Sequence, residues 1–168
     1  LKIEGRMRSA TYVTTVVSIY RRAIDAIAAG GAWSPSGEDM RDLALAFNRE
    51  FTEGYILGAS DIMARARPGN RGVPLGTVVG YDPRREEATV RLTGEVVPRS
   101  GDGLAFCTED PERDVGAVVR GTPAVRRGMV RVGVPAPVGR DTEVFLTKSA
   151  DLEERATKIA EHLEPLPI

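Results

Sequence analysis

Apolar positions recur at helical spacing through the first part of the chain. Val13, Val16, Val17, Tyr20, Ile24, Ile27 and Ala28 fall on one arc of a 3.6-residue period, Ser9 stands ahead of them as an N-cap, and Gly30-Gly31 closes the run. Ala32 to Gly37, with Trp33 and Pro35, reads as a loop. A second helix starts at Ser36, with Asp39 as its capping-box partner and Met40, Leu43, Ala44 and Phe47 as its apolar face. From about Gly72 the period changes to two. Thr77 to Tyr81, Ala88 to Leu92, Leu104 to Cys107, Val115 to Arg120, Met129 to Val134 and Glu143 to Thr147 read as short strands separated by Gly/Pro turns such as Asp82-Pro83-Arg84-Arg85. Six strands with no helix between them predict a small closed antiparallel barrel or a sandwich. A third helix, Asp151 to Leu163, carries Leu152, Ala156, Ile159, Ala160 and Leu163 on one stripe. The expected class is therefore α+β: residues 1–66 mostly helical, residues 67–168 a β-barrel with a terminal helix, joined near Pro68-Gly69-Asn70.

Composition narrows the chemistry. The 168 residues suffice for one large domain or two small ones. With 23 basic and 24 acidic residues the net charge is −1, which argues against nucleic-acid binding driven by bulk charge while leaving room for a local basic patch. Twenty of the 23 bases are Arg, a bias that serves planar recognition or reflects a GC-rich genome. One cysteine, Cys107, and one histidine, His162, exclude an internal disulfide and a Cys/His metal cage of about four ligands. A Ser-His-Asp triad would have to use His162 in the tail. No apolar run approaches the ~20 residues of a membrane span. Leu1 is not an initiator Met and nothing near it resembles a signal peptide, so the expectation is a cytoplasmic piece of something longer, with no membrane partner.

The candidate chemistry is scattered. Read as a strand, the first six residues put Lys2, Glu4 and Arg6 on one face. A strand leading straight into an amphipathic helix is one βα unit, and in a (β/α) barrel such charged side chains reach the reacting end, Glu4 paired with Lys2 and Arg6. Ile3-Glu4-Gly5-Arg6 before Met7 reads equally as a protease-cleavage linker, or as a solvated charged segment. Asn48 and Arg49, at the end of the second helix, bind an anion or a main chain, or simply cap and pack. Arg65, Arg67, Asn70 and Arg71 form a basic turn suited to phosphate or acidic peptide, or a solvated loop. Between Arg113 and Arg140 six Arg face Asp114 alone, a local charge of +5, while Asp141 to Ile168 carries −4. If Arg126, Arg127 and their neighbours share a face, that face binds polyanion or RNA; the shortage of interleaved aromatics weakens the case. Ser100-Gly101-Asp102-Gly103 reads as a turn, Cys107 as core, and His162 as surface.

These segments also carry a resemblance. "LKIEGRM" with "YVTTVVSIYRRAID", then "AFNREFTEGYILG", then "NRGVPLGTVVGYD" and "SGDGLAF" resemble, in order, the recurrent motifs of the peptidase U-thirty-two family, the collagenase-like proteases. The likeness covers about residues 1–107, with "DTEVFLTKSADLEERA" a weaker echo; Glu50 and Ala10 depart from it, where Gly and Pro are usual. The resemblance implies that Ile3 to Arg6 is native sequence. It implies a fold made of the last strand and helix of a TIM-like catalytic barrel, a linking helix, and an accessory barrel of elongation-factor-Tu type. It further implies a parent peptidase acting on protein or peptide, with this portion inactive alone and its barrel recognising substrate. Glu4 and Arg6 would be active-site remnants with Lys2 as charge partner, and Asn48, Arg49, Asn70 and Arg71 would lie near the cleft. Family members that resemble RNA hydroxylases make an RNA-modification module the alternative, with Arg126 and Arg127 as RNA contacts; a purely structural or dimerising domain is the third reading. No cofactor or metal is implied within residues 1–168, whereas a metal or iron–sulfur cluster is compatible with the rest of such a protein, since Cys107 alone cannot hold one.

Overall fold

Helix α1 (Ala10–Ala28) begins where the hydroxyl of Ser9 accepts the Tyr12 N–H at 3.1 Å. Helix α2 (Gly37–Ala46) begins with a complete capping box: Ser36 Oγ accepts the Asp39 N–H at 3.0 Å, and Asp39 Oδ2 accepts the Ser36 N–H at 2.9 Å. Both starts are local events written in four-residue strings. The computed structural model describes residues 2–47, 51 and 72–162. These fall in two compact units, one within Leu1–Phe47 and Asp151–Ile168, the other within Asn48–Ala150. The C-terminal helix α3 (Ala150–Glu161) thus belongs, from Asp151 on, with the N-terminal helices.

In the helical unit, α1 buries Thr15, Val16, Ile19 and Ala23. This face is rotated from the expected one: Val13, Val17, Tyr20, Ile24 and Ile27 stay exposed. The apolar arc is wider and longer than its neighbour can cover, since α2 spans about 15 Å against about 28 Å for α1 at 1.5 Å per residue. Arg8 ties the two helices, its guanidinium lying 3.6 Å from the Phe47 ring centroid, with Tyr12 edge-on to that ring. Arg22 pairs with the buried Asp39, and Arg155 of α3 reaches Asp42 at 2.9 Å and Asp151 at 3.0 Å. Met40, expected in the core, is exposed; α2 buries Asp39, Asp42, Ala44 and Leu45. The two aspartates are tolerated inside because each meets an arginine fork.

The β unit is one antiparallel sheet of six strands. They are β1 (Val73–Asp82), β2 (Glu87–Leu92), β3 (Gly103–Cys107), β4 (Val115–Val118), β5 (Met129–Gly133) and β6 (Glu143–Lys148). Their order is β4-β3-β6-β1-β2-β5. Strand β1 is the spine, pairing with β6 through Val73–Thr77 and with β2 through Gly76–Asp82. Its register shifts once in each ladder, between Pro74 and Gly76 and between Val78 and Gly80. Such bulges bend and twist a strand, which lets a six-stranded sheet curl. At Gly76 the partner main chain comes so close that a Cβ would stand 2.1 Å from the Arg91 carbonyl oxygen. Alternation is clean: Ala88 and Val90, Leu104 and Phe106, Val130 and Val132, Val144 and Leu146 point inward and are buried.

Two expectations are corrected here. The closed barrel is an open, curled sheet: β4 pairs only with β3 and β5 only with β2 among the described residues. The expected Val115–Arg120 strand stops two residues early, at Val118. The N-terminal strand of the βα unit is also absent: residues 2–5 are irregular and Arg6-Met7 form a turn with Met7 at φ 61°. A strand is held by hydrogen bonds to a neighbour, and this segment has none to pair with among the described residues.

Candidate functional site: a groove between the ends of the sheet

The two end strands bound a groove of about 630 Å³. One bank is Gly116, Ala117 and Val118 of β4 with Arg120 beyond it; the other is Gly133 of β5 with Val134 and Pro135. Gly103, Leu104, Thr147 and Lys148 of β3 and β6 form the floor, and Arg85 and Glu86 of the β1–β2 turn close one end. Glycine keeps it open. A Cβ added at Gly116 would meet nothing within 4 Å, and one at Gly133 only the Glu86 carbonyl oxygen at 4.0 Å. The walls are mostly apolar; Arg120, Glu86 and Arg85, which lies 3.9 Å from Asp82, stand at the rim.

Main-chain polarity follows from the ladders. Val119 donates its N–H to the Asp102 carbonyl and accepts from the Gly101 N–H, both at 2.9 Å, so its polar groups face the β3 side. Alternation then turns those of Ala117 and Val115 toward β3, and those of Gly116 and Val118 away from it. On the other bank the Val134 N–H donates to the Glu86 carbonyl at 2.8 Å, which turns Val132 and Val130 toward β2 and Arg131 and Gly133 outward. Asp102 locks the corner behind this arrangement. Its buried carboxylate accepts the Arg99 N–H at 2.7 Å and the Ala150 N–H at 2.9 Å, tying the Ser100–Gly103 turn to the start of α3.

None of the described candidates from the sequence is among the residues that line this groove. Lys2 and Glu4 form an ion pair at 2.9 Å, as expected of them, but exposed at the chain start rather than buried. Arg6 is exposed in the adjacent turn. Arg126 and Arg127 are exposed on the turn into β5, Arg127 at φ 51°, and Arg126 forms a main-chain bridge with Met129. Asn48, Arg49, Asn70 and Arg71 lie outside the described residues. Lys2, Glu4 and Arg6 belong to one unit and the Arg126–Arg127 pair to the other. A second hollow of about 430 Å³ on the sheet surface sets Arg85 and Arg131 against Asp82 and Glu87, a balanced charge with no preference for either sign. Among the described residues no three His, Cys, Asp or Glu side chains converge as metal ligands would, and Cys107 sits half-buried in β3 opposite Glu143, so an iron–sulfur cluster finds no ligand set here. No described helix is long and apolar enough to cross a membrane.

The groove escaped the sequence reading because its parts come from four strands and a turn that are separated along the chain. The available signal was glycine inside strand patterns, Gly103, Gly116 and Gly133, which marks a close approach or an opening.

Comparison with known proteins finds likenesses over parts of the chain. A collagenase from Porphyromonas gingivalis is 47% identical over 58 residues, which is 34% of this chain and 16% of the collagenase. The chain therefore spans about a sixth of that relative's length. The crystal structure of the C-terminal domain of a Geobacillus thermoleovorans protein assigned to the U32 peptidases aligns with 44% of this chain and 91% of its own, at 23% identity and a TM-score of 0.37. The family model of Peptidase family U32 matches residues 1–65, and over that segment the chain resembles this family.

Proposed function

We propose that the β unit is a polypeptide-recognition module serving proteolysis in a collagenase-like protein of the U32 type. The observation that carries this reading is the groove between the two end strands, along which the outward main-chain groups of Gly116 and Val118 have no partner among the described residues. Unpaired edges offer main-chain donors and acceptors at strand spacing, which is how extended peptides are bound. The match of residues 1–65 supports the peptidase setting. On this reading Glu4 and Arg6 act in the catalytic part of the larger protein with Lys2 as charge partner, and Glu4→Ala in the intact protein abolishes peptide cleavage.

The recognition role is tested with the 168-residue chain and fluorescein-labelled unfolded casein. Binding is expected, and Gly116→Leu with Gly133→Leu should weaken it at least tenfold while leaving the melting temperature in place, because both added side chains enter open space. Binding that ignores both substitutions overturns the reading. Salt-sensitive binding of a single-stranded RNA 12-mer, lost in Arg126→Ala/Arg127→Ala, with no casein binding, replaces it by the RNA-module alternative.

A further inference from the structure

The two banks of the groove are not equivalent. Neighbouring strands are antiparallel throughout the order β4-β3-β6-β1-β2-β5, so β4 and β5 run in opposite directions. A chain laid between them is antiparallel to one and parallel to the other. On β5 the outward groups of Met129 are already used: the Arg126 N–H donates to the Met129 carbonyl at 2.9 Å and the Met129 N–H to the Arg126 carbonyl at 3.0 Å. Arg131 adds a charged side chain to that edge, and Pro135 follows it, both devices that discourage strand pairing. Strand β4 itself holds neither a charged residue nor a proline, and Arg120 lies two residues past its end. Gly116 has no side chain to obstruct approach, Val118 is 61% exposed, and their outward N–H and C=O groups have no partner among the described residues.

We infer that the groove takes its polypeptide as an added strand, antiparallel to β4 and hydrogen-bonded to the main chains of Gly116 and Val118; this rests on the polypeptide reading above. Size agrees. An extended residue in a packed sheet occupies roughly 160 Å³, from a rise of about 3.4 Å, a strand spacing of about 4.8 Å and a layer spacing of about 10 Å. The 630 Å³ groove therefore holds about four residues, and β4 is four residues long. The partner's chemistry follows. It is a short extended segment free of proline, since each paired position must supply an N–H, and Arg120 beyond β4 favours an acidic residue at its end. A triple-helical or polyproline segment does not qualify.

The test titrates the ¹⁵N-labelled 168-residue chain with the blocked hexapeptide Ac-Glu-Thr-Val-Thr-Val-Glu-NH₂, and with the same peptide N-methylated at its four central residues. The unmodified peptide should move the Gly116 and Val118 amide resonances, and the N-methylated one should bind at least tenfold more weakly. Val118→Pro deletes an outward N–H and exchanges one exposed apolar side chain for another of similar size, so it should weaken binding to a similar degree, with spectral changes confined to β4 and its neighbour β3. Equal binding of both peptides overturns strand addition whether or not the proline variant folds. If casein still binds and Gly116→Leu still blocks it, that failure is confined to the binding mode; if neither casein nor hexapeptide binds, the polypeptide reading falls with it.

Discussion

In the β unit Val78, Ala88, Val90 and Phe106 are wholly removed from solvent, whereas the longest helix of the other unit leaves Ile24 at 44% and Ile27 at 62% exposure. The sheet seals its inner face with its own strands. The helical unit instead relies on fork-shaped ion pairs, Arg22 with Asp39 and Arg155 with Asp42 and Asp151, and on Arg8 stacked on Phe47. Partly exposed ion pairs contribute little, typically about 0–1 kcal/mol each, against about 1.5–3 kcal/mol for each large apolar side chain fully buried. The two units should therefore differ in stability and in response to pH. Trp33, the sole tryptophan, reports the helical unit by fluorescence, and hydrogen exchange of strand amides reports the sheet.

The sharpest break is Phe106→Ala. It empties the centre of the sheet's buried face and should cost about 3–5 kcal/mol, read as faster exchange of β1, β3 and β6 amides with the Trp33 emission midpoint unmoved. Coincident loss of both signals would show one cooperative body rather than two units. Next is Gly76→Ala. Its Cβ would collide with the Arg91 carbonyl, so the β1–β2 ladder must open at a cost of about 1–3 kcal/mol, seen in strand amide exchange; an unchanged exchange pattern would mean the main chain yields freely there.

Asp39→Asn acts on the other unit. The bond from the Ser36 N–H, then Arg22, holds the Asp39 carboxyl below its ordinary range despite burial. Its folded pKa being depressed, its contribution is complete above the unfolded value near 3.8 and is lost as pH falls through the folded value. Asp42 runs the opposite way: burial raises its pKa against the pull of Arg155, so its contribution is complete below the unfolded value and fades as pH rises through the folded one. Asp39→Asn should cost about 1 kcal/mol at neutral pH and flatten the acid limb of the Trp33 melting curve. An acid limb as steep as before would assign the sensitivity to other carboxylates. The smallest effect is expected from Val17→Lys on the exposed arc of α1, within about 0.5 kcal/mol. A larger loss by Trp33 emission would show that this arc is covered in solution.

How much of this was legible beforehand differs by region. The starts of α1 and α2 were readable because Ser9, Ser36 and Asp39 act within three residues. The six strands were readable because Ala88/Val90 and Leu104/Phe106 alternate. The face α1 buries was not, since Val13, Val17, Tyr20 and Ile24 form as good a helical stripe as Val16, Ile19 and Ala23, and only the position of α2 chooses between them. Likewise Asp102 looked like a turn residue; its two captured N–H groups, from Arg99 and from Ala150 48 positions away, exist only in three dimensions. The groove is the extreme case. Glycines 103, 116 and 133 are visible in the sequence, but not that they flank one opening.

By itself the chain's sequence determined where α1 and α2 start and which strand residues alternate inward, and it carried motifs that resemble a collagenase-like family, because capping, periodicity and motif are local properties. Only the tertiary structure decided that the end strands β4 and β5 do not pair among the described residues, and which of their rungs point away from their neighbours. Strand neighbours and edges are set by pairings between residues tens of positions apart, and no local pattern encodes them.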